Sequence, residues 1–72
     1  MRTWLIKLRE QHGLSQAQVA KAVDISQPTY WEYEKGKSTP KPERSKQIAR
    51  LLGFDWTAFY TEDDAHAHDD SP

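Results

Sequence analysis

Apolar residues recur along this 72-residue chain at helical spacing, and no stretch alternates as a strand would. Trp4, Leu5, Leu8 and His12 form one stripe ending at Gly13, which predicts a helix over 3–12 closed by a left-handed glycine. Ser15 and Gln18 have the spacing of a capping box, and Gln16, Val19, Ala20 and Val23 share a face. A second helix is therefore expected over 16–23, broken at Asp24. Ser26 is the next candidate cap, and Pro28 falls in the first turn after it, where a missing N–H is harmless. Tyr30 and Tyr33, three apart, mark the inner face of a third helix over 27–34. Gly36, Ser38 and Pro40 make 35–41 a loop. Pro42 opens a fourth helix that buries Ile48, Leu51 and Leu52 and ends at Gly53. Asp55 is placed to cap a short fifth helix carrying Trp56, Phe59 and Tyr60. The expected fold is all-α, a compact five-helix domain over residues 1–60. Residues 61–72 are small and acidic, with nothing to pack, and are expected to be a disordered tail.

Composition narrows the function classes. The length suits one domain, and one this small is marginal on its own core. Cysteine is absent, which rules out disulfides and thiolate metal sites and suits a reducing cytosol. No apolar run approaches the ~20 residues that span a bilayer, so no membrane partner is expected. The net charge of −1 hides a segregation: all ten Lys and Arg lie in 1–60, whereas 61–72 hold five acids and no base. A basic body followed by an acidic tail points to an anionic partner, with the tail repelling phosphate or competing for the basic face. No nucleophile stands with a base, and no glycine loop cradles phosphate, so an enzyme is not expected. His66, His68, Asp69 and Asp70 are potential weak ligands, but an i, i+2 histidine pair in a floppy tail is far from a formed site. No metal or other cofactor is expected.

The informative segment is Gln16 to Lys37. Two short helices are separated by a tight turn. Ala20 lies where they cross, its small side chain letting the backbones approach, and Ile25 plugs the turn. With Tyr30 and Tyr33 turned inward, Gln27, Pro28, Trp31 and Glu32 must point elsewhere, free to enter a DNA major groove, which admits one α-helix.

In this segment and beyond it the chain resembles the phage repressor and Cro (Xre-type) helix-turn-helix family. The matching residues are Leu5, Leu8-Arg9, Gly13-Leu14-Ser15-Gln16, Val19-Ala20, Val23, Ile25-Ser26, Glu34, Gly36-Lys37, Pro40, Ile48-Ala49 and Leu52-Gly53. They span roughly residues 4 to 60, and it is the ordered set that is specific. The resemblance implies a five-helix domain whose helices 2 and 3 form the helix-turn-helix, helix 3 reading double-stranded DNA, in a regulator of transcription that is a repressor or Cro-like switch of a phage or mobile element. One module reads only a few base pairs, so a homodimer on DNA is expected. It also implies that Gln16 holds a phosphate and braces helix 3, and that Arg9 and Glu34 form a structural ion pair joining helix 1 to helix 3.

Base reading is expected from Gln27, Pro28, Trp31 and Glu32: Gln27 can pair with adenine, Glu32 can accept from cytosine, and Trp31 can pack on a thymine methyl. Lys35, Lys37, Ser38, Lys41 and Arg44 cluster around the loop as candidate phosphate ligands, with loop N–H groups helping. Some residues depart from the family pattern. Asp24 stands where glycine is usual, and Pro28 where a polar base-reading residue is common. Pro42 and Ser45 replace residues often apolar, and the larger Tyr30 and Tyr33 are expected to fill the volume left. Trp4, Trp56, Phe59 and Tyr60 are read as core, with a dimer contact as the other possibility. Two other roles stay open: the antitoxin of a toxin–antitoxin pair, with a protein partner not identifiable here, and a protein-interaction module that has lost DNA binding.

Overall fold

The computed structural model describes residues 1–61; the acidic tail and its histidines lie outside the described residues. The chain folds as four helices, α1 (Thr3–Gln11), α2 (Gln16–Ala22), α3 (Gln27–Lys35) and α4 (Pro42–Leu52), followed by a short helical segment, α5, at 58–61. No strand occurs among the described residues. Helices this short are unstable in isolation, so their ends and their packing hold them.

The ends are set locally. Ser15 Oγ accepts from the Gln18 N–H at 3.1 Å while Gln18 Oε1 accepts from the Ser15 N–H at 2.8 Å, closing the capping box in both directions. Ser26 Oγ accepts from the Thr29 N–H, and Pro28 occupies the first turn of α3. At the other end of α3, Gly36 adopts φ +79°, and the Lys37 N–H returns to the Glu32 carbonyl at 3.0 Å in a Schellman-type closure. Asp24 turns the chain between α2 and α3 at φ +60°, the one non-glycine residue with positive φ among those described. The chain after α4 is turned by Asp55, whose Oδ1 accepts from both the N–H and the hydroxyl of Thr57.

The core forms where the inner faces meet. Leu5, Val19, Tyr30, Ile48, Leu52 and Phe59 are fully buried, with Ala20 and Val23 beside them. The Ala20 carbonyl accepts the Ile25 N–H at 2.9 Å, fixing the α2–α3 turn. Trp4, Phe54 and Phe59 pack edge to face with ring centroids 5.0 to 5.8 Å apart, so Phe59 belongs to the interior. Burying such aromatic surface is the largest favourable contribution a domain of this size can make.

Several local expectations shift. His12 is exposed, because α1 ends at Gln11; it is the C-cap residue, its ring Nδ1 2.9 Å from the Leu8 carbonyl oxygen. Helix α3 runs on through Lys35, one residue longer than its apolar pattern. Ser45 is fully buried, and the hydroxyl that meets it at 3.1 Å is that of Tyr60; Tyr60 also donates to the Pro40 carbonyl at 2.6 Å. A polar residue is tolerated at this inner position because both hydroxyls are bonded.

Candidate nucleic-acid interface

Helix α3 has one face locked and one face bare. Its inner side is fixed by Tyr30, Tyr33 and Glu34, all buried. Gln27, Pro28, Trp31, Glu32 and Lys35 are exposed and, at 100° per residue, fall within one stripe on the opposite side. Trp31 is 37% exposed, much for an indole, and it is flanked by cations: the Lys35 and Lys37 ammonium groups lie 5.5 and 5.4 Å from its ring.

The orientation of this face is set by a buried polar network behind it. Arg9 Nε donates to Glu34 Oε2 at 2.6 Å, and Gln16 Nε2 donates to Glu34 Oε1 at 2.8 Å. Arg9 also holds the Leu14 carbonyl at 2.9 Å. One carboxylate on α3 thus joins the end of α1, the turn after it and the start of α2. Burial opposes ionisation of Glu34, but hydrogen bonds from Arg9 and Gln16, with the Tyr30 hydroxyl facing the carboxylate, outweigh it and hold the carboxyl below its usual range. Gln16 therefore braces α3 while standing at the edge of the exposed face, where it lines a shallow groove with Gln27, Pro28 and Trp31.

The opposite flank of α3 meets the loop and the start of α4. Thr29, Ser38, Lys41 and Arg44 line a second depression there. Lys37 and Lys41 are exposed, and Lys41 is the N-cap residue of α4. Ser38 is half-buried, its hydroxyl 3.5 Å from Glu32 Oε1. The Gly36 and Lys37 N–H groups close α3 on the carbonyls of Tyr33 and Glu32, so these two N–H groups are spent within the fold and it is the Lys37 side chain that reaches outward. Arg44 also works within the fold: Nη1 donates to the Val23 carbonyl and to Gln47 Oε1, tying α4 to the end of α2. Among the described residues, no group of three His, Cys, Asp or Glu side chains is placed to hold a metal.

One site-shaping residue has no signal in the sequence. Arg2 precedes α1 and reads as an ordinary terminal charge, yet it is 2% exposed and its guanidinium reaches the loop. Two of its acceptors are the backbone carbonyls of Tyr33 and Ser38, more than thirty positions away, and neither spacing nor composition betrays them.

Comparison with known proteins agrees with this geometry. The helix-turn-helix family model matches residues 5–59. The chain is 44% identical over 62 residues to an uncharacterized HTH-type transcriptional regulator, YqaF, of Bacillus subtilis (strain 168), covering 86% of this chain and 82% of the relative. It is 37% identical over 46 residues to the cryptic phage CTXphi transcriptional repressor RstR of Vibrio cholerae, covering 64% of this chain and 41% of RstR. No solved structure matches significantly. No helix among the described residues is long and apolar enough to cross a membrane. With the paired helices α2 and α3, the capped turn between them and a family match over most of its length, the chain belongs to the helix-turn-helix family of phage-repressor (Xre) type, a family of DNA-binding transcriptional regulators.

Proposed function

We propose that this protein represses transcription by inserting α3 into the major groove of double-stranded DNA, two copies binding one two-fold site. The observation that carries this reading is the bare stripe of α3, with Gln27, Pro28, Trp31 and Glu32 exposed while Tyr30, Tyr33 and Glu34 fix the face behind it. Gln27 is the first residue of α3, where a recognition helix enters the groove, and its amide can both give to and accept from one adenine edge. Glu32 lies deeper along the same face; a carboxylate among phosphates is favourable only where a base donor such as cytosine N4 meets it. Pro28 and Trp31 present apolar surface suited to a thymine methyl and the sugar wall. Gln16, Lys35, Lys37, Ser38, Lys41 and Arg44 border the stripe and supply phosphate contacts, which fix register and most of the affinity.

One module reads few base pairs, so useful specificity requires two. Two-fold related α3 helices would sit about 34 Å apart, matching half-sites one helical turn apart. Trp31 and Met1 are the exposed large hydrophobics among the described residues, so little apolar surface supports a dimer without DNA. The repressor role, as against activation, is favoured by the similarity to the phage transcriptional repressor RstR.

Selection of bound sequences from a random duplex pool tests the proposal. A recovered palindrome with half-sites one turn apart is the expected outcome. Weak binding to all sequences without enrichment would refute sequence-specific recognition, and a single non-repeated site would refute the dimer.

A further inference from the structure

Arg2 occupies an unusual place for a guanidinium. It is 2% exposed. Its Nη1 donates to the Tyr33 carbonyl at 2.6 Å and to the Ser38 carbonyl at 2.9 Å, and its Nη2 donates to Thr39 Oγ1 at 2.7 Å. Its backbone N–H donates to the Glu34 carbonyl at 2.7 Å, and the guanidinium lies 5.2 Å from the Phe59 ring centroid. The charge therefore sits at the C-terminal end of α3, where carbonyls carry partial negative charge, and it grips that end together with the loop leaving it.

We propose that Arg2 is the positioning residue of the DNA-binding loop, fixing Lys37 and Ser38 where phosphates meet them; this rests on the DNA-binding reading above. Lys37 and Ser38 lie between the two anchors that Arg2 makes, Tyr33 on one side and Ser38–Thr39 on the other. The far end of the same loop is held separately, by Tyr60 and Ser45 on the Pro40 carbonyl. The loop is thus tied from within at both ends, leaving its lysines outside. A loop ordered in advance does not lose that freedom when DNA arrives. Several directional bonds from one planar fork define one loop geometry, which apolar packing would not, and a single ammonium cannot reproduce the fork.

The test compares the full chain with Arg2→Lys and Thr39→Val, each shown folded by circular dichroism, in titrations of random duplex DNA across a range of salt. Arg2→Lys keeps the net charge, so long-range attraction is unchanged. Both variants are expected to bind roughly five- to tenfold more weakly, with a shallower salt slope. In a Lys37→Ala background the loss from Arg2→Lys should shrink, because the two residues act on the same phosphate contact. A purely structural role lowers the melting temperature but leaves affinity and slope of the folded protein unchanged, and that result overturns the proposal. Should Arg2→Lys fail to fold, Thr39→Val decides alone. Absence of DNA binding by the parent chain would instead strike the DNA-binding reading itself.

Discussion

Glu34 accepts from Arg9 and Gln16 at once, at 2.6 and 2.8 Å, so a single buried carboxylate sets how α3 sits on both helices before it. With its side chain 2% exposed against 13% for Arg9, the carboxylate is the member of the pair that water can barely reach. Removing either partner would strand the other, which is far more damaging than never having placed a charge there.

Acid should loosen this junction first. The fold holds the Glu34 pKa below its ordinary value, so the fold favours the ionised form. Its contribution is complete above the unfolded-state value, about 4.3, and is lost as pH falls through the lower folded value. Thermal melts from pH 7 down to pH 3 should show a falling melting temperature. Glu34→Gln should be less stable at pH 7, with a flatter acid limb. Glu34→Ala should destabilise by about 3 kcal/mol or more. An unchanged acid limb in Glu34→Gln would assign the acid sensitivity to other carboxylates.

At the alkaline end the buried tyrosines act. Burial, reinforced by the Glu34 carboxylate, pushes the Tyr30 hydroxyl far above the usual phenol value, and burial raises Tyr33 as well. Both favour the protonated form in the fold, so their contribution is complete below about pH 10 and is lost as pH rises through the raised folded values. Tyrosinate absorbance of Tyr30 should therefore appear only together with unfolding. Tyr30 Oη faces Glu34 without closing a well-formed hydrogen bond, so Tyr30→Phe should change stability at pH 7 by about 1 kcal/mol or less. It should also extend the alkaline limit of the folded state.

Asp24 holds a left-handed backbone, φ +60°, on an exposed turn. Asp adopts this region more readily than most residues, but at some strain. Asp24→Gly should be as stable as the parent or up to about 1 kcal/mol more so, and Asp24→Val, β-branched, about 1–2 kcal/mol less stable. Urea midpoints of the three proteins give the order directly. A Val variant matching the parent would mean the turn has moved to another conformation.

Specificity and affinity should separate on α3 and its loop. Gln27→Ala should lower affinity for the selected site by about 1–3 kcal/mol and relax preference at one position per half-site, with random-duplex binding nearly unchanged. Lys37→Ala should weaken binding to all sequences alike and reduce the salt slope by about 1. A base-by-base specificity profile of each variant checks both. If Gln27→Ala keeps the parental profile while Lys37→Ala alters it, the docking of α3 proposed here is wrong.

What the sequence determined by itself is what short-range chemistry controls. Ser15 with Gln18, Ser26 with Thr29, and Gly36 at the end of α3 act within a few residues of one another, so the helices and their boundaries are legible from spacing alone. The bare stripe of α3 is legible for the same reason: once Tyr30 and Tyr33 are inside, helical geometry leaves Gln27, Pro28, Trp31 and Glu32 outside. Beyond the Arg9–Glu34 pair and the Gln16 brace, which the family resemblance implied, the tertiary structure alone decided the long-range polar bonds. Arg44 looks like one more loop cation, but Val23, distant in sequence, offers it a carbonyl at the end of α2. Tyr60 meets Ser45 across the fold and takes the Pro40 carbonyl with it. Arg2 is the extreme case: its guanidinium takes the backbone carbonyls of Tyr33 and Ser38, which every residue type possesses, so no side-chain pattern announces these bonds. Which carbonyls come within its reach depends on how α1 packs on α3, and that is fixed only when the core closes.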